Sequence, residues 1–141
     1  MNAIHKKSII IVADDDEDDR LLITEAIREN GFAGEIHSFE DGEGLMTHLN
    51  NWCSPETVIL LDLNMPKMDG RQVLREIKSN PQLSFIPVVV LSTSSNMEDI
   101  EVSYGFGANS YIIKPATYDE LKKRMNALVN YWFQTAILPA L

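Results

Sequence analysis

Short runs of β-branched and apolar residues alternate along this chain with longer segments that carry apolar residues at helical spacing. Five such runs occur, at 8–13, 35–39, 57–61, 86–91 and 109–113. Alternation of this kind is typical of βαβ units, in which helices cover both faces of a parallel sheet. The sequence therefore predicts a doubly wound α/β fold with five parallel strands.

A segment with helical periodicity follows each of these runs. The first, at 17–30, places Leu21, Leu22, Ala26 and Ile27 on one stripe. Further helices are predicted at about 42–51, 71–79 and 96–105. The last helix begins after Thr117, and its apolar positions recur about once per turn as far as Trp132. We therefore expect five helices, the last one extended at the C-terminus.

Length and charge limit the classes of function that this chain can have. Its 141 residues predict one domain over 1–141, with a core at about 8–128 and a C-terminal extension at about 129–141. Twelve basic and 21 acidic residues give a net charge of −9, which argues against nucleic acid and anionic membranes as partners. The single Cys53 favours a reducing compartment. We expect a cytoplasmic protein.

Polar residues with reactive side chains follow the strands where the strands end. They are Asp14, Asp15 and Asp16 after the first strand, Asp62 after the third, Ser92 after the fourth and Lys114 after the fifth. The carboxyl ends of the strands in such a sheet line one crevice. Converging carboxylates suit Mg²⁺ (or Mn²⁺), and an aspartate beside such an ion can attack phosphorus. The pattern therefore predicts a phosphoryl-handling site.

Four strings resemble the receiver domain of two-component response regulators. They are Asp14-Asp15, 62–70 (DLNMPKMDG), 91–93 (LST) and 111–115 (YIIKP). Ser92 follows Asp62 by 30 residues and Lys114 follows it by 52, which is similar to the intervals in that family. The resemblance covers about 8–128. It implies a flavodoxin-like five-stranded parallel sheet in the order 2-1-3-4-5.

The resemblance also implies a role for each acidic residue of the site. It makes Asp62 the phosphoacceptor and Asp14 and Asp15 the acidic pair that holds the metal, with Asn64 adding its backbone carbonyl. Because the acidic run is long, a shift by one residue stays open, and Asp16 is a secondary candidate. The neighbouring Asp18 and Asp19 are interpreted as solvated acids at a helix N-terminus.

Three further residues take their roles from the same resemblance. Ser92 resembles the switch hydroxyl, Lys114 the lysine that pairs with the phosphoryl group, and Tyr111 the switch aromatic. In the family, their movement remodels the surface built from the fourth helix, fifth strand and fifth helix. The family also implies a cis peptide bond between Lys114 and Pro115. The serines and asparagine at 94–96 are interpreted as a polar loop that caps the next helix.

The C-terminal tail resembles stand-alone receivers that partner bacterial phytochrome-type histidine kinases, because an aromatic pair is followed there by Leu-Pro. This implies a histidine kinase as one partner and a downstream protein or phosphotransfer partner as another. Related receivers dimerise through the extended last helix. We therefore expect a homodimer through five apolar residues, Tyr131, Trp132, Phe133, Ile137 and Leu138.

Two other functions remain open at this stage. A phosphohydrolase of the haloacid-dehalogenase type also uses a strand-end aspartate and Mg²⁺, but such enzymes usually carry a second acid where this chain has Asn64. A receiver-like adaptor that is never phosphorylated is expected to lack the acid, hydroxyl or lysine. We predict a phosphoacceptor response regulator that is not an enzyme beyond its own phosphoryl transfer and slow dephosphorylation.

Overall fold

Five strands alternate with five α-helices in the structure, a computed structural model that describes residues 8–52 and 56–139. The strands are β1 (Ile9–Ala13), β2 (Glu35–Phe39), β3 (Thr57–Leu61), β4 (Val88–Ser92) and β5 (Ser110–Ile113). The helices are α1 (Glu17–Glu29), α2 (Gly42–Leu49), α3 (Gly70–Ser79), α4 (Met97–Gly105) and α5 (Tyr118–Asn130), and a π-helical turn at Tyr131–Thr135 continues α5.

All five strands are parallel and lie in the order β2-β1-β3-β4-β5. The three central strands are buried along their whole length, which explains why they read as continuous apolar runs rather than alternating ones. Ile9 of β1 is in register with Glu35 of β2 and with Thr57 of β3. The predicted fold class and strand order are confirmed.

Successive residues of β1 divide the core into two layers because neighbouring side chains of a strand point to opposite faces of the sheet. Ile9 and Ile11 pack with apolar residues of α2 and α3. Ile10 and Val12 pack with apolar residues of α1 and α5. The sheet therefore lies between two helical layers, and its carboxyl edge is left for the polar residues that follow the strands.

Two local expectations are wrong. The fourth strand begins at Val88 rather than Ile86, because Pro87 has no N–H to donate to a neighbouring strand. On α1 the residues facing the core are Ile23, Ala26 and Ile27, and Leu21 and Leu22 are exposed. The predicted stripe is therefore confirmed at Ala26 and Ile27 and wrong at Leu21 and Leu22, and it omitted the buried Ile23.

The chain changes its helical form after α5. The π-helical turn closes with a hydrogen bond that the Ala136 N–H donates to the Tyr131 carbonyl, and Phe133 packs on Phe32 with ring centroids 5.2 Å apart. The extension beyond α5 is thus partly anchored to the molecule's own core. Among the described residues, no helix is both long and apolar enough to cross a membrane.

Candidate functional site

Three aspartates come together at the carboxyl edge of the sheet. Asp14 follows β1 and Asp62 follows β3, and these strands are neighbours, with the Asp62 N–H donating to the Ala13 carbonyl at 2.9 Å. One carboxylate oxygen from each of Asp14, Asp15 and Asp62 lies within 4.8 Å of the others. Asp14 and Asp62 are buried and Asp15 is exposed. Such a set of oxygens suits a hard divalent cation.

Asp16 is not part of this acidic group. Its carboxylate is the N-cap of α1, where it accepts the Asp19 N–H at 3.1 Å. Its own N–H donates to Asp14 Oδ1 at 2.9 Å. Of the two registers that the sequence leaves open, the structure gathers Asp14 and Asp15 beside Asp62 and assigns the next aspartate to starting the helix.

Lys114 places its ammonium group among the acids. Lys114 follows β5, and its backbone N–H donates to the Ser92 carbonyl at 2.7 Å. Lys114 Nζ lies 2.6 Å from Asp14 Oδ2, 3.0 Å from Asp19 Oδ2 and 3.6 Å from Asp62 Oδ2. One cation therefore faces several carboxylates, and the site keeps an excess of negative charge.

Burial and mutual repulsion shape the ionisation of these groups. Burial raises the pKa of Asp62 to about 6; the negative charges of Asp14 and Asp15 act in the same direction, against the opposing charge of Lys114. Burial also raises the pKa of Asp14, although the hydrogen bond from Lys114 opposes it. For Lys114 itself burial lowers the pKa, but the hydrogen bonds to Asp14 and Asp19 outweigh it and the net shift is upward. Lys114 therefore stays charged.

Ser92 and Tyr111 meet through a third residue, Ser94. Ser92 is fully buried at the end of β4, and its Oγ accepts the Ser94 N–H at 3.1 Å. The half-buried Tyr111 donates its phenol hydrogen to the Ser94 carbonyl at 2.9 Å. The structure thus connects the hydroxyl at the end of β4 to the ring on β5 within one short loop.

The loop between β3 and α3 approaches its own backbone very closely at Gly70. The Gly70 N–H donates to the Leu63 carbonyl at 2.9 Å, and a Cβ built on Gly70 would lie 2.2 Å from the Asp62 carbonyl oxygen. Only glycine fits at that distance. Within the same loop Asn64 is exposed, and its N–H donates to Asp62 Oδ1 at 3.3 Å.

Sequence reasoning missed two residues that contact the site. Asp19 was interpreted as a solvated acid, but it binds Lys114. Arg20 donates from Nη1 to the Asp14 carbonyl at 2.7 Å. Both lie on the first turn of α1, five and six positions after Asp14. That short spacing was the signal available in the sequence, because the first turn of a helix that directly follows a strand lies close to the end of the strand.

One further expectation concerns a peptide bond beside the site. The Lys114–Pro115 peptide bond is trans, so the cis expectation is wrong; trans is the favoured form of most X–Pro bonds. The small Ala116 lines a cavity of about 170 Å³ between α1 and the start of α5, together with Leu22, Lys114 and Leu121.

The apolar tail residues divide into two groups. Phe133 is buried, and Trp132 and Leu138 are half-buried against the α1–α5 side of the core. Tyr131 and Ile137 are exposed, with 53% and 97% of their surface accessible. Two of the five residues expected at a dimer interface thus lie open on the surface.

The model of the response regulator receiver domain matches residues 10–126 of this chain. The chain belongs to the response regulator receiver domains. This receiver domain is 40% identical over 124 residues to Response regulator Rcp1 of Synechocystis sp., which is 84% of this chain and 84% of Rcp1. The family resemblance inferred from the four strings is confirmed.

Solved structures of relatives have the same fold as this receiver domain. The phosphorylated cyanobacterial phytochrome response regulator RcpA is 41% identical, with a TM-score of 0.86 over 94% of this chain and 98% of that one. The Mn²⁺-bound form of Rcp1 is 38% identical, with a TM-score of 0.85 over 94% of this chain and 99% of that one. One of these relatives has thus been seen phosphorylated and another with a divalent metal.

Proposed function

We propose that this receiver domain accepts a phosphoryl group on Asp62 from a histidine kinase, with Mg²⁺ or Mn²⁺, and signals the change to a protein partner. The observation that carries the proposal is the place of Asp62. Its buried carboxylate lies at the end of β3, 3.6 Å from Lys114 and within 4.8 Å of Asp14 and Asp15. The phosphorylated state of the relative RcpA supports the same chemistry.

In the proposed reaction, a carboxylate oxygen of Asp62 attacks the phosphorus of a phosphohistidine. An O–P bond forms, the P–N bond breaks, and the imidazole leaves with the electron pair. A pKa of about 6 leaves Asp62 mostly ionised at pH 7 and more basic than an ordinary aspartate. Lys114 balances the negative charge of the transferred oxygens, and the Ser92 hydroxyl donates a hydrogen bond to one of them.

The donor set fits a hard divalent ion. Asp14, Asp15 and Asp62, with the Asn64 carbonyl, would hold Mg²⁺ or Mn²⁺, which supplies positive charge to the phosphoryl oxygens when it is bound. Three carboxylates within 4.8 Å of one another favour such an ion because they repel one another; burial first, and this repulsion second, raise the pKa of Asp62. The Mn²⁺-bound form of the relative Rcp1 supports this assignment.

The proposed output is a change of surface. When the Ser92 hydroxyl donates to the phosphoryl group, it shifts Ser94 through the N–H that it accepts, and the bond between Tyr111 and the Ser94 carbonyl changes with it. The surface affected is that of α4, β5 and α5, where Tyr104 and Ile113 are exposed. A downstream protein or a phosphotransfer partner would bind there.

The partners of this receiver domain are proposed from its relatives and its tail. The relative RcpA is a phytochrome response regulator, which supports a phytochrome-type histidine kinase as the phosphodonor. The single Cys53 supports a cytoplasmic location. The exposed side chains of Tyr131 and Ile137 support a homodimer through the extension after α5.

The proposal is tested by the intact mass of the protein after incubation with acetyl phosphate and Mg²⁺. We expect one added phosphoryl group, and we expect none in Asp62→Asn or in the presence of a chelator. Asp18→Asn is the matched control, because Asp18 is an exposed acid on the first turn of α1, and it should be modified as the wild type is. Equal phosphorylation of Asp62→Asn would contradict the assignment of Asp62.

A further inference from the structure

Ser94 is held at three of its atoms, although it was expected to be part of a simple polar loop. Its N–H donates to Ser92 Oγ at 3.1 Å, and its carbonyl accepts the phenol hydrogen of Tyr111 at 2.9 Å. Its own hydroxyl donates to Asp99 Oδ2 at 2.7 Å and accepts the Asn96 N–H at 3.2 Å. Ser94 is therefore the point at which the site, β5 and α4 are joined.

The carboxylate that holds Ser94 is itself anchored from the other side of the site. Asp99 Oδ1 accepts a hydrogen bond from Arg71 Nη2 at 2.8 Å. Arg71 is the second residue of α3, directly after the loop that starts at Asp62, and its Nη1 also lies 3.3 Å from Asp69 Oδ1. Both carboxylate oxygens of Asp99 therefore accept charge-assisted hydrogen bonds, one from Ser94 and one from Arg71. These two bonds hold the pKa of Asp99 below its usual range.

We propose that Arg71 and Asp99 are positioning residues for phosphoryl transfer, because their ion pair fixes Ser94 and Ser94 orients the hydroxyl of Ser92. This inference rests on the proposed function. An oxygen that accepts an N–H keeps its own hydrogen available for another acceptor. The Ser92 hydroxyl, fixed by Ser94, is thus ready to donate to an oxygen transferred to Asp62, without first being reoriented.

The ion pair is placed where it would affect the reaction more than the stability of the fold. The side chains of Arg71 and Asp99 are 29% and 28% exposed, and partly solvated ion pairs contribute little to folding. The pair nevertheless joins α3 to α4, the helices that follow the strand ends at Asp62 and Ser92. We therefore expect its loss to slow phosphorylation and to leave the unfolding midpoint nearly unchanged.

The first test compares Asp99→Asn with Glu98→Gln in the full chain. Both substitutions remove one negative charge from the start of α4, and Glu98 is exposed. We expect the initial rate of modification by acetyl phosphate and Mg²⁺ to fall about fivefold in Asp99→Asn, which is the worth of one net hydrogen bond. Glu98→Gln should react at the wild-type rate. Ser94→Ala breaks the same connection by a second route and should slow the reaction by a similar factor.

The second test asks whether the effect passes through Ser92. In a Ser92→Ala background the hydroxyl is gone, so the further substitution Asp99→Asn should leave the rate unchanged. Arg71→Gln should slow the wild-type reaction about as much as Asp99→Asn does, and Arg71→Lys should recover much of the rate because it keeps the positive charge. A residue that only supported the fold would lower the rate by the same factor in both backgrounds.

The outcomes separate the two proposals. If the wild type takes up no phosphoryl group, the proposed function fails and this inference fails with it. If the wild type is modified and Asp99→Asn reacts as Glu98→Gln does, this inference alone is overturned. It is also overturned if Asp99→Asn has its full effect in the Ser92→Ala background.

Discussion

Asp62 combines two properties that normally exclude each other, burial and a negative charge. A buried carboxylate is costly unless a cation or hydrogen bonds compensate it. Here Lys114 compensates it at 3.6 Å and the Asn64 N–H at 3.3 Å, while Asp14 and Asp15 oppose it. The charged form of Asp62 is therefore disfavoured by its surroundings, and a bound divalent ion would offset that cost.

The cost of keeping the buried Asp62 ionised predicts how the substitution Asp62→Asn changes the free energy of unfolding with pH. Burial raises the pKa of Asp62 from 3.8 to about 6 in the folded protein, so the folded state binds the proton more tightly than the unfolded state does. The stabilising contribution of this proton is fully present below about pH 4 and is lost as the pH rises through 6. Above pH 6 we expect metal-free Asp62→Asn to be more stable than the wild type by on the order of 2 kcal/mol.

The measurement is urea unfolding in a chelator between pH 4 and 8. The gain of Asp62→Asn should shrink towards zero as the pH falls to 4, and the exposed-site control Asp18→Asn should follow the wild type throughout. Adding Mg²⁺ should then stabilise the wild type more than Asp62→Asn. A stability difference that does not vary with pH would contradict the account of Asp62.

At the scale of single elements, the β3–α3 loop depends on one glycine. The loop leaves β3 at Asp62 and returns so closely that any Cβ on Gly70 would overlap the Asp62 carbonyl at 2.2 Å and the Leu63 Cα at 2.6 Å. These neighbours are backbone atoms, which cannot move aside without displacing Asp62. Gly70 therefore couples the start of α3 to the position of the proposed phosphoacceptor.

Gly70→Ala should lower the free energy of unfolding by about 3 kcal/mol, the upper range for overpacking at a rigid site. Gly105→Ala is the matched control, because a Cβ built on Gly105 at the end of α4 meets nothing within 4 Å and should leave stability unchanged or slightly higher. Both values come from chemical denaturation. Equal stabilities of the two variants would show that the loop can rearrange around an added methyl group.

Sequence patterns predicted the elements better than their faces and ends. The runs that became β1 and β3 were found to within one residue because buried parallel strands are continuously apolar, and β2 was found from its alternation of apolar and polar residues. The exposure of Leu21 and Leu22 was missed, because a helix with apolar residues on two sides does not show which side meets the sheet. The start of β4 was missed because Ile86 is buried without belonging to a strand.

At the scale of the whole molecule, the site could be anticipated because parallel strands end at one edge. The strand-end residues Asp14, Asp62, Ser92 and Lys114 could be picked out before any coordinates. Asp19 and Arg20 were missed although their spacing from Asp14 was a signal. The connection from Ser94 through Asp99 to Arg71 could not be picked out, because it depends on how α3 and α4 pack around that edge. Contacts between helices are set by tertiary packing and leave little trace in local sequence patterns.

The extension after α5 should serve both the core and an interface. Phe133 is 6% exposed and packs on Phe32, whereas Ile137 is 97% exposed. We expect Ile137→Asp to weaken the proposed homodimer without changing the stability of the monomer, because the Ile137 side chain is not buried in the monomer. Phe133→Ala should instead lower the free energy of unfolding by about 3 kcal/mol, as large-to-small core substitutions do.

Sedimentation velocity over a concentration series measures the first effect, and chemical denaturation of the dilute protein measures the second. Gln134→Asp is the control for the added charge, because Gln134 is an exposed polar residue in the same π-helical turn. If Ile137→Asp sediments as the wild type does at every concentration, the tail is not the dimer interface.

The central claim is that Asp62 carries the phosphoryl group, and the most direct measurement locates that group chemically. Borohydride reduces an acyl phosphate to an alcohol and so converts a phosphorylated aspartate to homoserine. After reaction with acetyl phosphate and Mg²⁺, peptide mass spectrometry of the reduced protein should find homoserine at position 62 alone. Homoserine at Asp14, Asp15 or Asp69 instead, or at no position while the protein retains an added phosphoryl mass, would contradict the account.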